Sequence, residues 1–433
     1  MTTDTLLIEL GTEELPPKAL KTLGLAFRDG ITLGLQQREL GFGQVQWFAS
    51  PRRLAVLISD VELQAPDKDR EVLGPPVDRA RDDAGQWTAA AIGFAKKQGV
   101  EPEQLQSIDT PKGARLGLRS TVAGVSASDS LNPIIQESVN NLPIPKRMRW
   151  GASRVEFVRP VHWVVAMLGQ NCDHGEILGL ATGNTTRGHR FHSSGSITLQ
   201  RPEDYESALA DAKVVASFEQ RQQMIRDQVE TEASALQATA VIDDDLLDEV
   251  TGLVEWPVAL TGSFEKRFLE VPAEALISSM KEHQKYFHLV DENGQLKPNF
   301  ITLSNIESKD PVQVIAGNER VIRPRLSDAA FFFETDKKIS LADRVQKLES
   351  IVFQQKLGTL YDKTQRVVGL AGALAGQIDA PVVLAERAAL LSKTDLTTEM
   401  VLEFSDMQGI AGSYYALHDG EDADVAAALA QQY

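Results

Sequence analysis

Four short segments of the sequence carry basic side chains where the chain is expected to turn, and their chemistry suits phosphate. Arginine presents a planar fork of N–H donors that fits two phosphate oxygens at once, and lysine adds a compact charge. In chain order the segments contain Arg52 and Arg53; Lys146, Arg147 and Arg149; Arg187 and Arg190; and Arg320, Arg323 and Arg325. They predict local contacts with RNA phosphates. The alternative is that these arginines pair with carboxylates, which the chain has in excess.

A fifth segment, residues 282–287, combines a titratable ring, an amide, a cation and two aromatic rings where a helix is expected to become a strand. Because unstacked RNA bases are bound by aromatic stacking and by hydrogen bonds to their edges, His283, Lys285 and Tyr286 are candidate RNA-binding residues. The alternative is structural: Tyr286 and Phe287 would alternate into a core while His283 ends the helix. The residue types leave both interpretations open.

Sequence patterns that cradle nucleotides or build catalytic sites are absent. There is no GxxxxGK[ST] segment, no GxGxxG after a strand, no GxSxG and no HExxH. Cys172, Asp173 and His174 are adjacent, but no second ligand pair stands at the spacing that a metal site needs. His418-Asp419 resembles the dipeptide of HD-type metal phosphohydrolases, yet the helical region has no other histidine to complete such a site. We expect no catalytic residue, no metal site and no cofactor on this chain.

Composition and charge exclude several classes of protein. The 433 residues include 44 basic and 61 acidic side chains, a formal net charge of −17, so the chain cannot coat nucleic acid by bulk attraction and no DNA partner is expected. The single cysteine, Cys172, excludes an internal disulfide and fits a reducing cytosol. The first ten residues carry two acids and no basic residue, unlike a secretory signal, and the longest apolar runs are too short to span a membrane. The sequence predicts a soluble, cytoplasmic protein.

The elements that would position these residues change character along the chain. Up to about residue 310, short aliphatic runs alternate irregularly with helical periods, without the βαβ repeat of a doubly wound sheet. From there on the pattern is almost wholly helical. This predicts an α+β protein, in which a mixed body of small antiparallel-sheet modules precedes an all-helical domain. The predicted modules cover residues 1–65, 66–155, 156–315 and 316–433, the last of them incomplete at its C-terminus.

Long stretches of the sequence are similar to the signature segments of one protein family. They run from the first predicted strand to the last residues: Leu6–Leu20 (LLIELGTEELPPKAL), Ser50–Val56 (SPRRLAV), Pro145–Gly151 (PKRMRWG), Phe157–Trp163 (FVRPVHW), Thr185–Phe191 (TTRGHRF), Leu253–Leu260 (LVEWPVAL), Val271–Leu289 (VPAEALISSMKEHQKYFHL), Gly317–Glu334 (GNERVIRPRLSDAAFFFE) and Ala388–Tyr415. In their order and length they resemble the β subunit of bacterial heterotetrameric glycyl-tRNA synthetase.

The resemblance implies a part in an α2β2 enzyme that joins glycine to tRNA-Gly. In that family the α subunit carries the catalytic core and uses ATP and Mg, while the β subunit binds tRNA and positions its acceptor end. The resemblance also implies B3/B4-like modules in the mixed body. In the helical domain it implies a degenerate HD-like fold, where Lys393-Thr394-Asp395 stands in place of His-Asp. The family's anticodon-binding domain is expected beyond residue 433.

Three functional interpretations follow from these patterns. As a synthetase subunit, the chain would be inert with glycine, ATP and tRNA until the α subunit is added. As a stand-alone scaffold for tRNA or other RNA, it would bind tRNA without that partner. As an HD-type phosphohydrolase, it would hydrolyse a nucleotide phosphate and carry a stoichiometric metal ion.

Overall fold

The computed structural model describes residues 2–82, 85–111, 113–172 and 175–433. The chain forms two compact units, unit 1 up to Phe218 and unit 2 from Glu219 to Tyr433. Unit 1 contains β1 Thr3–Thr12, α1 Pro17–Gln37, β2 Val45–Ser50, β3 Arg53–Glu62, β4 Lys68–Pro76, α2 Ala89–Gln98, β5 Gln106–Thr110, β6 Gly113–Val122, α3 Ala127–Asn140, β7 Met148–Arg149, β8 Glu156–Phe157, β9 Val161–Leu168, β10 Asn171–Cys172, β11 Glu176–Ile177, β12 Leu180–Gly183, β13 Thr185–Arg187, β14 Ser196–Thr198 and α4 Tyr205–Asp211.

Unit 2 begins in a helix whose first residue is the last residue of unit 1. Its elements are α5 Phe218–Ala235, β15 Thr239–Ala240, α6 Asp244–Thr251, β16 Val258–Ser263, α7 Ala273–Ser278, a π-helix Ser279–Gln284, β17 Phe287–Val290, β18 Leu296–Ser304, α8 Pro311–Asp336, α9 Leu341–Arg344, β19 Val352–Gln354, β20 Gly358–Thr359, α10 Leu360–Gln377, α11 Val382–Leu391, α12 Glu399–Glu403, α13 Ile410–His418 and α14 Ala423–Gln431.

The main sheet of unit 1 has seven strands and is built around β1. Its order is β11-β12-β9-β1-β3-β2, with β10 also paired to β9. The pairs are antiparallel except for β12 with β9. Successive side chains of a strand point to opposite faces. Leu6, Ile8 and Leu10 therefore join one apolar cluster, with residues of α1 and α3, while Leu7 joins another on the opposite face. Glu9 shares the face of Leu7 and is fully buried.

Two short ladders position the basic segments of unit 1. In one, Met148 pairs with Phe157 and Arg149 with Glu156, which closes the segment between α3 and β9 into a hairpin-like turn. In the other, Thr185–Arg187 pairs with Ser196–Thr198 and holds the base of the loop that carries Arg190. A separate three-stranded sheet, in the order β4-β6-β5, precedes both ladders in sequence.

Unit 2 joins a four-stranded antiparallel sheet to a helical part. The sheet has the order β15-β17-β18-β16 and packs with α5 and α6 around buried residues that include Ile225, Leu247 and Ile301. A second apolar core of unit 2 is built by residues of α7, α8, α12, α13 and α14 together with Phe300 of β18. From Pro311 on, the described chain is helical apart from the short β19–β20 pair.

The coarse fold prediction is confirmed: the protein mixes several small antiparallel sheets with many helices. The seven-stranded sheet joins β1 to β9, which are far apart in sequence. The borders of the four predicted modules stay a prediction. In the part of the chain that the structure describes, no helix is long and apolar enough to cross a membrane.

Candidate nucleic-acid interface

Residues 146–159 form a basic turn on the surface of unit 1. Lys146, Arg149 and Arg154 are exposed, and Arg147 and Arg159 are half-buried. The turn leaves the C-terminus of α3 and returns to β9 through the β7–β8 ladder. It therefore places five cations on a segment of fourteen residues.

Most of the charge on this basic turn is not offset by carboxylates. Arg147 donates from Nη2 to the backbone oxygens of Asn140, at 2.9 Å, and Val139, at 3.4 Å. Arg159 donates to the backbone oxygens of Glu14 and Val158. Arg149 alone pairs with an acid, Glu156. Among the described residues, no carboxylate forms an ion pair with Lys146, Arg147, Arg154 or Arg159, so their charge remains available to an anion.

Two hollows border the basic turn and meet at Arg147. One is an apolar groove of about 490 Å³, lined by Pro16, Ala19, Leu23, Pro143, Ile144, Pro145, Lys146, Arg147, Met148, Val158 and Arg159. The other is a polar cleft of about 550 Å³ that includes Arg147, Arg154 and Glu156. Arg154 and Arg159 were not among the residues predicted from sequence. Arg159 could have been proposed from the sequence, because it lies in the segment FVRPVHW, one of those that resemble the family.

The loop of Arg187 and Arg190 is basic in sequence but partly neutralised in the structure. Arg190 forms ion pairs with Glu13 at 2.6 Å and Glu14 at 3.2 Å. Partial burial acts to raise the pKa of Glu13, but hydrogen bonds and charge from Arg190 and His162 outweigh it and lower that pKa. Arg187 is exposed, and its guanidinium lies 5.3 Å from the centre of the Trp163 ring. Arg187 is thus the better candidate of the two for an anion.

Arg53 lies in the protein core, which corrects its predicted role in phosphate binding. Its side chain is fully buried and forms a 3.0 Å ion pair with Glu9. Arg53 also donates to Ser50 Oγ at 3.1 Å and to the backbone oxygen of Arg187 at 3.0 Å. Arg52 is only 8% exposed. Because a buried guanidinium offers no surface to RNA, neither residue belongs to the surface we propose below.

Four donors converge on the Glu9 carboxylate. Oε1 accepts hydrogen bonds from Arg53 Nη1, Thr186 Oγ1 and Tyr205 OH, each at 3.0 Å, and Oε2 accepts one from Trp163 Nε1 at 3.0 Å. Burial and the nearby Glu9 charge raise the pKa of Tyr205, which keeps its hydroxyl a donor. This Glu9 network ties β1, β3, β9 and β13 to the start of α4. A buried charge is tolerated only when it is paired and hydrogen-bonded, as here.

Residues 282–287 divide between surface and core. Tyr286 is buried, stacks on Phe300 with ring centres 4.4 Å apart and donates its hydroxyl to Asn318, so the structural interpretation holds for this residue. Burial raises the pKa of Tyr286 to about 12. Lys285 ends the π-helix in a left-handed conformation and pairs with Glu249 at 3.1 Å. Of the three candidate residues in this segment, only His283 is exposed, near the end of the π-helix.

The arginines after Gly317-Asn318 lie on a helix, where a turn was predicted. Residues 317–325 are inside α8, and Pro324 is tolerated within it. Arg323 pairs with Glu265 at 2.7 Å, and Arg325 pairs with Glu403 at 3.5 Å. Both arginines thus follow the alternative of carboxylate pairing, and they make useful controls for the basic turn.

The comparisons with known proteins identify the family. The glycyl-tRNA synthetase beta subunit family matches residues 6–433. This chain belongs to that family. It is 55% identical to the glycine–tRNA ligase beta subunits of Marinobacter nauticus and Chromohalobacter salexigens, over 100% of this chain and 63% of each relative. It is 54% identical to that of Hahella chejuensis, over 99% of this chain and 62% of the relative. The chain therefore spans about 63% of the length of the curated relatives it matches.

The helical part of this chain contains a closed polar core around Asp336, which is 2% exposed. Asp336 accepts hydrogen bonds from Arg344 Nη2, from the backbone N–H groups of Glu399 and Met400, and from Tyr415 OH. Among the described residues, no three His, Cys, Asp or Glu side chains converge as a metal site would require. Asp173 and His174, which follow Cys172 and were considered with it as metal ligands, lie outside the described residues.

Asp395 is a buried carboxylate with one oxygen unused. Its Oδ2 accepts from the backbone N–H of Gly409 at 2.5 Å, while Oδ1 has no hydrogen-bond partner among the described residues. Burial raises the pKa of Asp395. A carboxyl whose pKa is higher in the folded state binds protons better there, so folding stability falls as the pH rises from about 3.9 through the folded pKa.

We expect Asp395→Asn to gain stability relative to the wild type as the pH rises, because asparagine keeps the Gly409 contact and cannot ionise. The difference in Tm between variant and wild type, measured by circular dichroism, should grow between about pH 4 and pH 8. Asp362→Asn is the matched control. Hydrogen bonds from Thr359 lower the pKa of Asp362, so the stability that its carboxylate contributes is complete above about pH 4 and is lost only at lower pH; the Tm difference for this variant should therefore stay constant between about pH 4 and pH 8. A Tm difference for Asp395→Asn that does not change with pH would contradict the argument.

Proposed function

We propose that this chain forms part of the beta subunit of glycine–tRNA ligase, binds tRNA-Gly and positions its acceptor end for ATP-dependent glycylation by the alpha subunit. The observation that carries the proposal is the family match over residues 6–433. We further propose that the assembly is an α2β2 heterotetramer in the cytoplasm. ATP and Mg are assigned to the alpha subunit.

The basic turn is the surface that we assign to tRNA. Its lysine and arginines carry charge that few acids offset, whereas most other arginines predicted from sequence are buried or paired. Binding that depends on a few cations is compatible with a net charge of −17, because phosphate contacts act over about one Debye length. Arg187 and His283 remain secondary candidates, since both are exposed.

The contribution to catalysis would be positioning. Ester formation requires the terminal adenosine of tRNA to lie beside glycyl-adenylate in the alpha subunit. A rigid surface that holds the acceptor stem makes this encounter effectively intramolecular, which can supply several kcal/mol of the barrier reduction. The β7–β8 ladder and the hydrogen bonds of Arg147 to the end of α3 would hold the basic turn in place.

At the level of fold, we propose that the mixed body is B3/B4-like and that the helical part is a degenerate HD-like domain. The second point is supported by the location of Asp395 in a closed core next to α13. A metal phosphohydrolase at this position would need further ligands around Asp395. Metal analysis that found stoichiometric Mn, Fe or Zn would favour the hydrolase alternative.

Reconstitution tests the proposed function. The purified beta subunit should not charge tRNA-Gly with glycine and ATP, and glycylation should appear when the alpha subunit is added. Glycylation by the alpha subunit alone at the rate of the mixture would contradict the proposal. Binding of tRNA by the beta subunit without its partner distinguishes a separable scaffold from a surface that is completed only in the assembly.

A further inference from the structure

The outer side of α10 carries a stripe of apolar side chains that face solvent. Leu370, Leu374 and Ile378 are 63%, 60% and 75% exposed, and Val367 and Val383, the latter near the start of α11, are also exposed. Positions 367, 370, 374 and 378 recur at spacings of three and four, so they lie on one side of the helix. We call these five residues the α10 face. A contiguous apolar surface of this kind marks an interaction site in a soluble protein.

A groove opens beside the α10 face. It has a volume of about 390 Å³ and lies between α10, α11 and α14. Six of its lining residues are small or apolar: Val367, Ala371, Ala385, Ala388, Ala389 and Ala428. The others are Thr364, Ser392, Gln432 and two lysines, Lys363 and Lys393. Thr364 is 2% exposed, and its hydroxyl has no hydrogen-bond partner among the described residues. Small side chains leave space for the larger side chains of a facing helix.

The chemistry of the α10 face indicates a protein occupant. An RNA surface needs cations and stacking rings, whereas the five residues of the face are aliphatic. The face runs from position 367 to position 378, roughly 17 Å at 1.5 Å per residue, so a helix of about eleven or more residues would cover it. That helix would need its own apolar stripe to match.

The relatives point to where this helix comes from. The chain corresponds to the N-terminal 63% of their length, so the family carries about another third of its sequence beyond the matched region. One wall of the groove is α14, through Ala428 and Gln432. A segment that follows α14 in a full-length subunit would enter beside the groove, and a tether of this kind gives a high effective concentration.

We propose that, in the full-length beta subunit, an amphipathic helix from the sequence beyond position 433 packs on the α10 face and fills the adjoining groove. The helical part of unit 2 is completed by this intramolecular contact. The inference concerns how the beta subunit folds, and it stands whether or not the basic turn binds tRNA.

Cysteine labelling of the full-length beta subunit tests the proposal. In a Cys172→Ser background, Leu374→Cys places a thiol on the α10 face, and Gln365→Cys places one at an exposed position elsewhere on the same helix. We expect the thiol at position 374 to react with iodoacetamide roughly tenfold or more slowly than the thiol at position 365, because labelling would require local opening. This protection should be present in the beta subunit alone and should not depend on its concentration.

Four results would overturn the proposal. Equal labelling rates would show an open face. Protection that appears only at higher protein concentration would indicate a second copy of the chain. Protection that appears only after adding the alpha subunit would indicate that partner, and protection that appears only with tRNA would indicate RNA. If Leu374→Cys loses its helical circular dichroism, the same labelling experiment is carried out on Val383→Cys. Val383 is 77% exposed and belongs to the α10 face, so the same results support or overturn the proposal.

Discussion

Replacing Arg53 with leucine is expected to lower the free energy of unfolding by about 3–5 kcal/mol, because the substitution leaves the Glu9 charge buried without its ion-pair partner. Glu9 and Arg53 are both fully buried and 3.0 Å apart. The substitution also removes the hydrogen bond to the backbone of Arg187, so the loop that carries Arg187 and Arg190 should become more mobile. Urea unfolding followed by tryptophan fluorescence measures the loss, since Trp163 donates to the same carboxylate.

Two controls make this result specific. Arg149→Leu removes an exposed cation from the surface and should change the unfolding free energy by no more than about 0.5 kcal/mol. The double variant Glu9→Gln/Arg53→Leu removes both charges and should be less destabilised than Arg53→Leu alone, because no unpaired charge remains. An Arg53→Leu protein as stable as the wild type would show that the Glu9 network does not stabilise unit 1.

The double variant Arg147→Ala/Arg154→Ala is expected to bind tRNA-Gly about tenfold or more weakly than the wild-type beta subunit, because both arginines line the polar cleft and neither forms an ion pair with a carboxylate among the described residues. Each lost phosphate contact should also reduce the slope of log K against log salt by about 0.7–0.9, so the two together should reduce it by about 1.4–1.8. Filter binding or fluorescence anisotropy at several salt concentrations measures both quantities.

The matched control for this variant is Arg323→Ala/Arg325→Ala. It removes two arginines of unit 2 that already pair with Glu265 and Glu403, so the tRNA affinity and the salt slope should stay close to the wild-type values. If the basic-turn variant keeps its fold, its affinity and its salt slope, the assignment of this surface to tRNA fails. An equal loss in both variants would mean that the effect comes from net charge rather than from the basic turn.

Strand and helix positions were largely predictable because they depend on local patterns. The almost wholly helical pattern after about residue 310 corresponds to α8–α14, and the irregular alternation before it corresponds to short strands mixed with helices. Strand pairing was not predictable in the same way. β1 pairs with β9, which lies far from it in sequence. The alternation of side chains predicts that a segment is a strand, but it does not predict which other strand lies beside it.

The roles of individual arginines were the least predictable feature of the site. Arg53 and Arg147 follow prolines in similar basic segments, yet one is buried in a network and the other borders a surface cleft. The difference is the buried carboxylate of Glu9, which lies on another strand. The signal was present in the sequence: Glu9 stands inside the apolar run LLIEL, and a carboxylate in the middle of a buried strand requires a partner. That partner could not be identified without the β1–β3 register.

Glycylation kinetics of the α–β assembly test the central claim most directly, namely that this chain acts on tRNA and leaves the activation of glycine to its partner. For the Arg147→Ala/Arg154→Ala beta subunit mixed with wild-type alpha subunit, we predict a higher KM for tRNA-Gly. The glycine-dependent exchange of pyrophosphate into ATP should keep its wild-type rate and its wild-type KM for glycine. A variant that slows this exchange as much as it slows tRNA charging would contradict the account.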